Sequence, residues 1–261
     1  MTKPDTSIAQ CVRVGSALRT DSLRLFTINF RQMKLSELFY SIQGEGKLLG
    51  VPSVFVRASG CNLRCVWCDT PFASWQPEGH DLPIGQIVEQ VSAHPTRHVV
   101  VTGGEPMIMP DIAELCSALK QRGYHITIET AATVHADVAV DLASLSPKLS
   151  NSTPHDREGG RFVAMHERQR INVPVIQKFI DSSPDFQLKF VVSDSGDLPE
   201  IETLLEKLHR WQPADVLLMP EGIDAATLES RAGWVSEACK KRGFRYCPRL
   251  HVMLYGNTRG T

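Results

Sequence analysis

Gly60-Cys61-Asn62-Leu63-Arg64-Cys65-Val66-Trp67-Cys68-Asp69-Thr70 is the stretch on which the reading of this chain turns. Cys61, Cys65 and Cys68 stand at C-x3-C-x2-C spacing, and no fourth cysteine lies nearby. Thiolates select soft metals and iron–sulfur clusters. A closed structural zinc site takes four ligands, and so does a typical cubane. Three anchors leave one iron of a cubane without a protein ligand. An open coordination position is where a metal site performs chemistry. A Gly-Cys-Asn loop is a poor place for three separate core thiols. The zinc alternative needs a distant fourth ligand, such as His80 or His251.

Outward from this loop, short β-rich runs alternate with helical patterns. Strands are expected at Val54–Arg57, His98–Val101, His125–Glu129, Val138–Ala143, Gln187–Val192, Asp215–Met219 and Phe244–Cys247. Helices are expected at Ile84–Ala93, Asp111–Arg122, Val173–Asp181, Leu198–Leu208 and Ala225–Arg242. In the second helix Ile112, Leu115, Cys116 and Leu119 share one face, and Gly123 supplies a stop. Such alternation argues for a parallel sheet. Polar residues follow the strands: Thr102-Gly103-Gly104-Glu105, Glu129-Thr130, Ser146-Pro147-Lys148, Ser193-Asp194 and Pro220-Glu221-Gly222. Loops at the C-terminal ends of parallel strands are where α/β enzymes bind ligands. The run Ser150–Arg161 has no period and reads as an exposed excursion, a lid or a passive loop.

Composition limits the class. The net charge of −1 supplies no basic field for nucleic acid, and no apolar run is long enough to span a bilayer. Seven cysteines is an odd count, and a reduced, cytoplasmic setting suits it better than a disulfide framework. Cys116 reads as core and Cys11 as incidental. Residues 1–32 carry Arg13, Arg19, Arg24 and Arg31 against Asp5 and Asp21, and read as a poorly ordered extension. Residues 33–261 form a single catalytic domain in this reading.

Four segments give the chain a familiar look: Ser41-Ile42-Gln43-Gly44-Glu45-Gly46, Val54-Phe55-Val56-Arg57, the cysteine loop through Asp69-Thr70, and Thr102-Gly103-Gly104-Glu105-Pro106. From about Met33 onward the chain resembles the 7-carboxy-7-deazaguanine synthase family of radical S-adenosylmethionine enzymes. The resemblance implies a partial, reduced (β/α) barrel. It implies a [4Fe-4S] cluster on Cys61, Cys65 and Cys68, with S-adenosylmethionine on the open iron. Trp67, Asp69, Gly103, Gly104 and Glu105 would meet that cofactor, as would Ser146, Pro147, Lys148, Ser193 and Asp194. Thr70 would hold a Mg2+ ion that also touches substrate. Ile42, Gln43, Gly44, Glu45, Arg57, Thr102 and His251 would line the substrate pocket. The implied reaction converts 6-carboxy-5,6,7,8-tetrahydropterin to 7-carboxy-7-deazaguanine with loss of ammonia, in deazapurine and queuosine biosynthesis. A flavodoxin or ferredoxin would deliver the electron, and the enzyme would be a homodimer.

Taken singly, several of these residues have simpler readings. Asp69 or Thr70 suits a helix N-cap. Arg57 suits a carboxylate, or a rim ion pair with Glu45 or Glu129. His251 also suits a surface or core position. The tail from Tyr255 to Thr261 either closes over the substrate or frays. Two rival functions stand beside the main one: a glycyl-radical activase, or another small radical S-adenosylmethionine enzyme, and a zinc-stabilised binding module.

Overall fold

The structure, a computed structural model, describes residues 31–261. The extension expected at residues 1–32 lies almost wholly outside that range, as does Cys11. Among the described residues, no helix is long and apolar enough to cross a membrane.

Nine strands form one sheet: β1 (Gln32–Ile42), β2 (Pro52–Ala58), β3 (His80–Pro83), β4 (His98–Gly103), β5 (His125–Thr130), β6 (Leu142–Leu145), β7 (Asp185–Val192), β8 (Val216–Pro220) and β9 (Arg245–Tyr246). Their order is β3-β1-β2-β4-β5-β6-β7-β8-β9. From β2 to β9 every neighbouring pair is parallel, and β1 joins β2 and β3 antiparallel. The two edges do not pair, so the sheet is a barrel left open, as the resemblance implies.

Strands buried on both faces read as apolar runs. Val99 to Val101 and Leu188 with Phe190 to Val192 obey this rule and are buried. The crossovers carry the main helices: α2 (Ile84–Ser92), α3 (Ile112–Gln121), α5 (Val173–Ser182), α6 (Leu198–Leu205) and α7 (Ala225–Arg242). Shorter helices are α1 (Pro71–Ser74), α4 (Val163–Gln169) and α8 (Leu250–Tyr255). On α3 the expected face of Ile112, Leu115, Cys116 and Leu119 is the buried one.

Four expectations need correction. The first expected strand is Val54–Arg57, which leaves Ile42–Glu45 ahead of the sheet, yet a strand precedes it, and Ile42 ends that strand, β1. A register shift between Leu35 and Glu37 breaks the alternation of β1 and hides it from a period-two search. The strand expected at Val138–Ala143 begins only at Leu142. There the Asp141 carboxylate accepts the Ile126 N–H at 2.7 Å, occupying the place a further ladder pair would take. The strand expected at Phe244–Cys247 is confined to Arg245 and Tyr246. The Ser150–Arg161 run is only partly exposed, since Ser152 and Thr153 are buried by polar bonds that leave no apolar period.

Candidate active site

The parallel strands open at their C-terminal ends onto a cavity of about 440 Å³. Gly103 and Gly104 bring one wall together. Gly103 has φ +144°, and a Cβ there would lie 2.3 Å from the Ala58 carbonyl oxygen. A Cβ on Gly104 would lie 2.2 Å from Gly60 O and 2.5 Å from Ala73 O. The sequence suggested close approach to a ligand. What fills the space is backbone: the end of β2 at Gly103, and the cysteine loop and α1 at Gly104. Gly103 thus packs against the strand that leads into the cysteine loop, Gly104 sets where the loop sits, and both line the cavity.

Cys61, Cys65 and Cys68 share a small apolar patch with Leu63, Trp67 and Ala131. Cys61 Sγ accepts the Leu63 N–H at 3.3 Å, and Cys68 Sγ stands 3.0 Å from Ser74 Oγ. Burial pushes the Cys61 and Cys65 thiols up to about 12. The Lys148 cation opposes that rise at Cys65. Among the described residues, no three His, Cys, Asp or Glu side chains gather tightly enough for a single metal ion. A cubane does not require that, because each thiolate binds a different iron. A soft, partly shielded trio with N–H donation to sulfur fits such a cluster. It does not offer zinc the fourth ligand it wants: His80 lies exposed on edge strand β3, and His251 stacks on Gly44 across the cavity.

Beside the cysteine loop, Lys148 Nζ donates to Ser146 Oγ at 2.7 Å and lies 5.7 Å from the Trp67 ring centroid. Trp67, Ser146 and Lys148 all line the cavity. Glu105 does not. It is fully buried, and its carboxylate accepts from Met107 N, Thr130 Oγ1 and Ala131 N. Burial pushes its carboxyl up, and those donors restrain the rise. Pro147, Ser193 and Asp194 also lie outside the cavity lining. Asp194 caps the turn at Ser195–Asp197, and the Ser193 N–H is taken by Asp197.

A chain of charges, its two cations Lys189 and Arg249 buried and its carboxylates partly buried, crosses the rest of the floor. Arg249 binds the carboxylate of Asp69 and that of Glu45, the latter at 3.2 Å. Glu45 pairs with Lys189, whose ammonium lies 3.9 Å from Glu129. Glu129 accepts from Gln43 Nε2 at 3.2 Å and from Thr102 Oγ1 at 3.0 Å. Burial alone would raise the Glu45 carboxyl, yet Lys189 and Arg249 hold it far below the usual range. Burial likewise works against the Lys189 cation, and Glu45, helped by Glu129, more than restores it. The Asp69 carboxyl is held down by Arg249 against the same penalty. Asp69 is thus committed to Arg249. Thr70 occupies the N-cap position of α1 but makes no capping bond with its side chain.

Ile42, Gly44 and Arg57 stand on the same lining. Arg57 pairs with Glu37 at 2.6 Å, its cross-strand neighbour in β1, and not with Glu45 or Glu129. His251 presses on Gly44, where a Cβ would lie 2.0 Å from its Nδ1. Burial lowers that imidazole, and Glu45 partly counters it. The tail is docked. Arg259 reaches Glu37 at 3.2 Å and Glu78 at 2.9 Å, and its guanidinium carbon lies 4.0 Å from the Phe72 ring centroid. Asn257 to Thr261 form part of the cavity wall. Sequence reasoning missed Glu37, Lys189 and Arg249 as site residues. The available signal for Lys189 was a lone charge inside the apolar run of β7; Arg249 left none.

Residues 55–150 match the Radical SAM superfamily model. A 7-carboxy-7-deazaguanine synthase of Halobacterium salinarum is 46% identical over 235 residues, covering 86% of this chain and 91% of the relative. The chain belongs to the 7-carboxy-7-deazaguanine synthase family. Another member, from Rhodopirellula baltica, is 44% identical, covering 87% of this chain and 88% of its own. The crystal structure of QueE from Escherichia coli shares the fold at a TM-score of 0.64 and 24% identity, over 84% of this chain and 95% of that one. As a member of this family the chain is a radical S-adenosylmethionine lyase of deazapurine biosynthesis, and it uses a 4Fe-4S cluster and S-adenosylmethionine. Family membership sets aside the activase and zinc-module alternatives.

Proposed function

We propose that the chain contracts the ring of 6-carboxy-5,6,7,8-tetrahydropterin to give 7-carboxy-7-deazaguanine, releasing ammonia. The observation that carries this reading is the Glu129 carboxylate, oriented by Gln43 and Thr102 at the floor of a cavity whose other wall is the cysteine loop. A fixed acceptor beside an amide donor suits the guanidine-like edge of a pterin. Arg57 and Lys189 offer cations for the pterin carboxylate.

Cys61, Cys65 and Cys68 would hold the cluster, which when bound supplies the electron that splits S-adenosylmethionine into methionine and a 5′-deoxyadenosyl radical. Lys148 would bind the methionine carboxylate, and Trp67 would shield the cluster side from water. The Gly103 and Gly104 carbonyls would receive the ammonium. Glu105 would act through its grip on the Thr130–Ala131 turn. Ser193 and Asp194 would support the cofactor loop from behind. The Thr70 hydroxyl, free of capping, would supply the one protein ligand of a Mg2+ ion that keeps substrate and water oxygens.

Over the outer face of the cysteine loop, Arg157 stacks 3.8 Å from the Trp75 centroid, and Arg161 and Arg64 lie 4.5 and 5.3 Å from that of Phe162. The Trp75 indole donates to Cys65 O at 2.9 Å. This cationic, aromatic face supports delivery of the electron by an acidic carrier such as a flavodoxin or ferredoxin. A homodimer in the cytoplasm, with residues 33–261 as one catalytic domain and residues 1–32 outside the chemistry, completes the proposal.

The test is anaerobic turnover of the reconstituted protein with the pterin, S-adenosylmethionine, Mg2+ and dithionite. Formation of 7-carboxy-7-deazaguanine is expected. Cleavage of S-adenosylmethionine without that product would reject the substrate.

A further inference from the structure

One segment, residues 149–166, grips the cysteine loop from a single side. The Val66 N–H donates to Ser152 O at 2.8 Å. The Trp67 indole N–H donates to Asn151 O at 3.0 Å, and Arg157 donates to Val66 O at 3.1 Å. The Arg64 N–H donates to His166 Nδ1 at 3.2 Å. That last bond ends on an imidazole with no exposed surface.

The proton order there follows from the donors. A backbone N–H can only donate, so Nδ1 accepts and the ring proton sits on Nε2. Nε2 then donates to Ser152 Oγ at 2.9 Å. Ser152 in turn donates to Leu149 O at 2.6 Å. The relay has one donor for each acceptor. Burial pushes the imidazole down to about 4, which keeps it in this neutral form. A histidine serving only as core filler has no need to meet a peptide N–H that lies between two cluster anchors.

We propose that His166, backed by Ser152, is a positioning residue for the cysteine loop: it fixes the Arg64 peptide between Cys61 and Cys65 and so sets both the occupancy and the reduction potential of the iron–sulfur cluster. The proposal rests on the cluster reading above. Without the imidazole, the Arg64 N–H, which faces the buried ring, loses its acceptor and the loop rearranges to recover one. The Leu63 N–H donation to Cys61 Sγ belongs to the same loop, and hydrogen bonds to sulfur tune cluster potential.

The experiment uses the full chain, reconstituted anaerobically, with iron per chain, the electron paramagnetic resonance spectrum of the reduced cluster and its midpoint potential as readouts. His166→Leu keeps most of the volume and removes the acceptor. It is expected to hold less than half the wild-type iron and to show an altered spectrum and potential in what remains. His166→Asn returns an oxygen close to the position of Nδ1 and is expected to restore iron loading. Wild-type iron, spectrum and potential in His166→Leu would overturn the proposal. Should His166→Leu fail to fold, Ser152→Ala decides: reduced loading is expected, and wild-type loading and potential overturn it. A wild-type protein that takes up no cluster iron would instead sink the cluster reading beneath it.

Discussion

The guanidinium of Arg249 is hydrogen-bonded to the carboxylate of Asp69, 180 residues earlier in the chain. The same guanidinium donates to Gly222 O at 2.6 Å and to Glu45. One buried cation thereby joins the cysteine loop, the β8 loop and the segment after β1.

Arg249→Leu leaves the nearly buried Glu45 carboxylate without one of its two cations and the half-buried Asp69 carboxylate without its partner. Removing one partner of a buried ion pair costs about 3–5 kcal/mol. Urea denaturation should show a loss of that order. Arg249→Lys should recover only part of it, because an ammonium lacks the planar fork. A midpoint within error of wild type in Arg249→Leu would deny the cation its structural role.

The Glu45–Lys189 pair predicts a pH profile. Glu45 is held below its ordinary 4.5, so its contribution is complete above that value and is lost as pH falls through the folded pKa. Lys189 is held above its ordinary 10.5, so its contribution is complete below that value and is lost as pH rises through the folded pKa. Stability from this pair should be level between about pH 5 and about pH 10. In Lys189→Met, Glu45 keeps only Arg249 and His251, its carboxyl moves up, and acid destabilisation starts at higher pH. Urea midpoints measured across that range for both proteins check the direction.

Gly104→Ala forces a methyl against the carbonyls of Gly60 and Ala73. Both neighbours are backbone and cannot swing aside. Overpacking of this kind costs about 1–3 kcal/mol. The displaced loop carries the cysteines, so iron incorporation should fall as well. Thermal melting and iron analysis on the same preparation would expose an alanine that is tolerated.

Arg259→Ala releases the tail from Glu37, Glu78 and Phe72. These ion pairs are half exposed, and exposed pairs add little to stability. The melting temperature should hardly change. KM for the pterin should rise several-fold with kcat nearly constant, as expected when binding is lost equally in ground and transition states. Unaltered KM would mean that the docked tail is only a surface feature.

Much of this molecule is legible in its sequence, and what is illegible shares one cause. The cysteine spacing and the Thr102–Pro106 run carry their meaning within a few residues. The apolar runs of β4 and β7 and the helical face of α3 are equally local. By contrast, Lys189 and Arg249 derive their roles from partners 144 and 180 residues away; a lone charge in the apolar run of β7 marks Lys189 without naming its partner, and nothing local marks Arg249. Arg57 lines the cavity, but its partner Glu37 lies on a strand masked by an irregular register. His166 belongs to no motif, since its value lies in a peptide of another segment.

The floor of charges also bears on the order of folding. Arg249 to Glu45 spans 204 residues and Glu45 to Lys189 spans 144, among the most distant contacts in the chain. Closing such separations costs entropy before it is rewarded, so these bonds form after the local strand–helix units. Interactions absent from the folding barrier act on the rate of escape from the native basin. Neutralising a member of this row should therefore hasten unfolding while leaving the refolding limb of the chevron where it was.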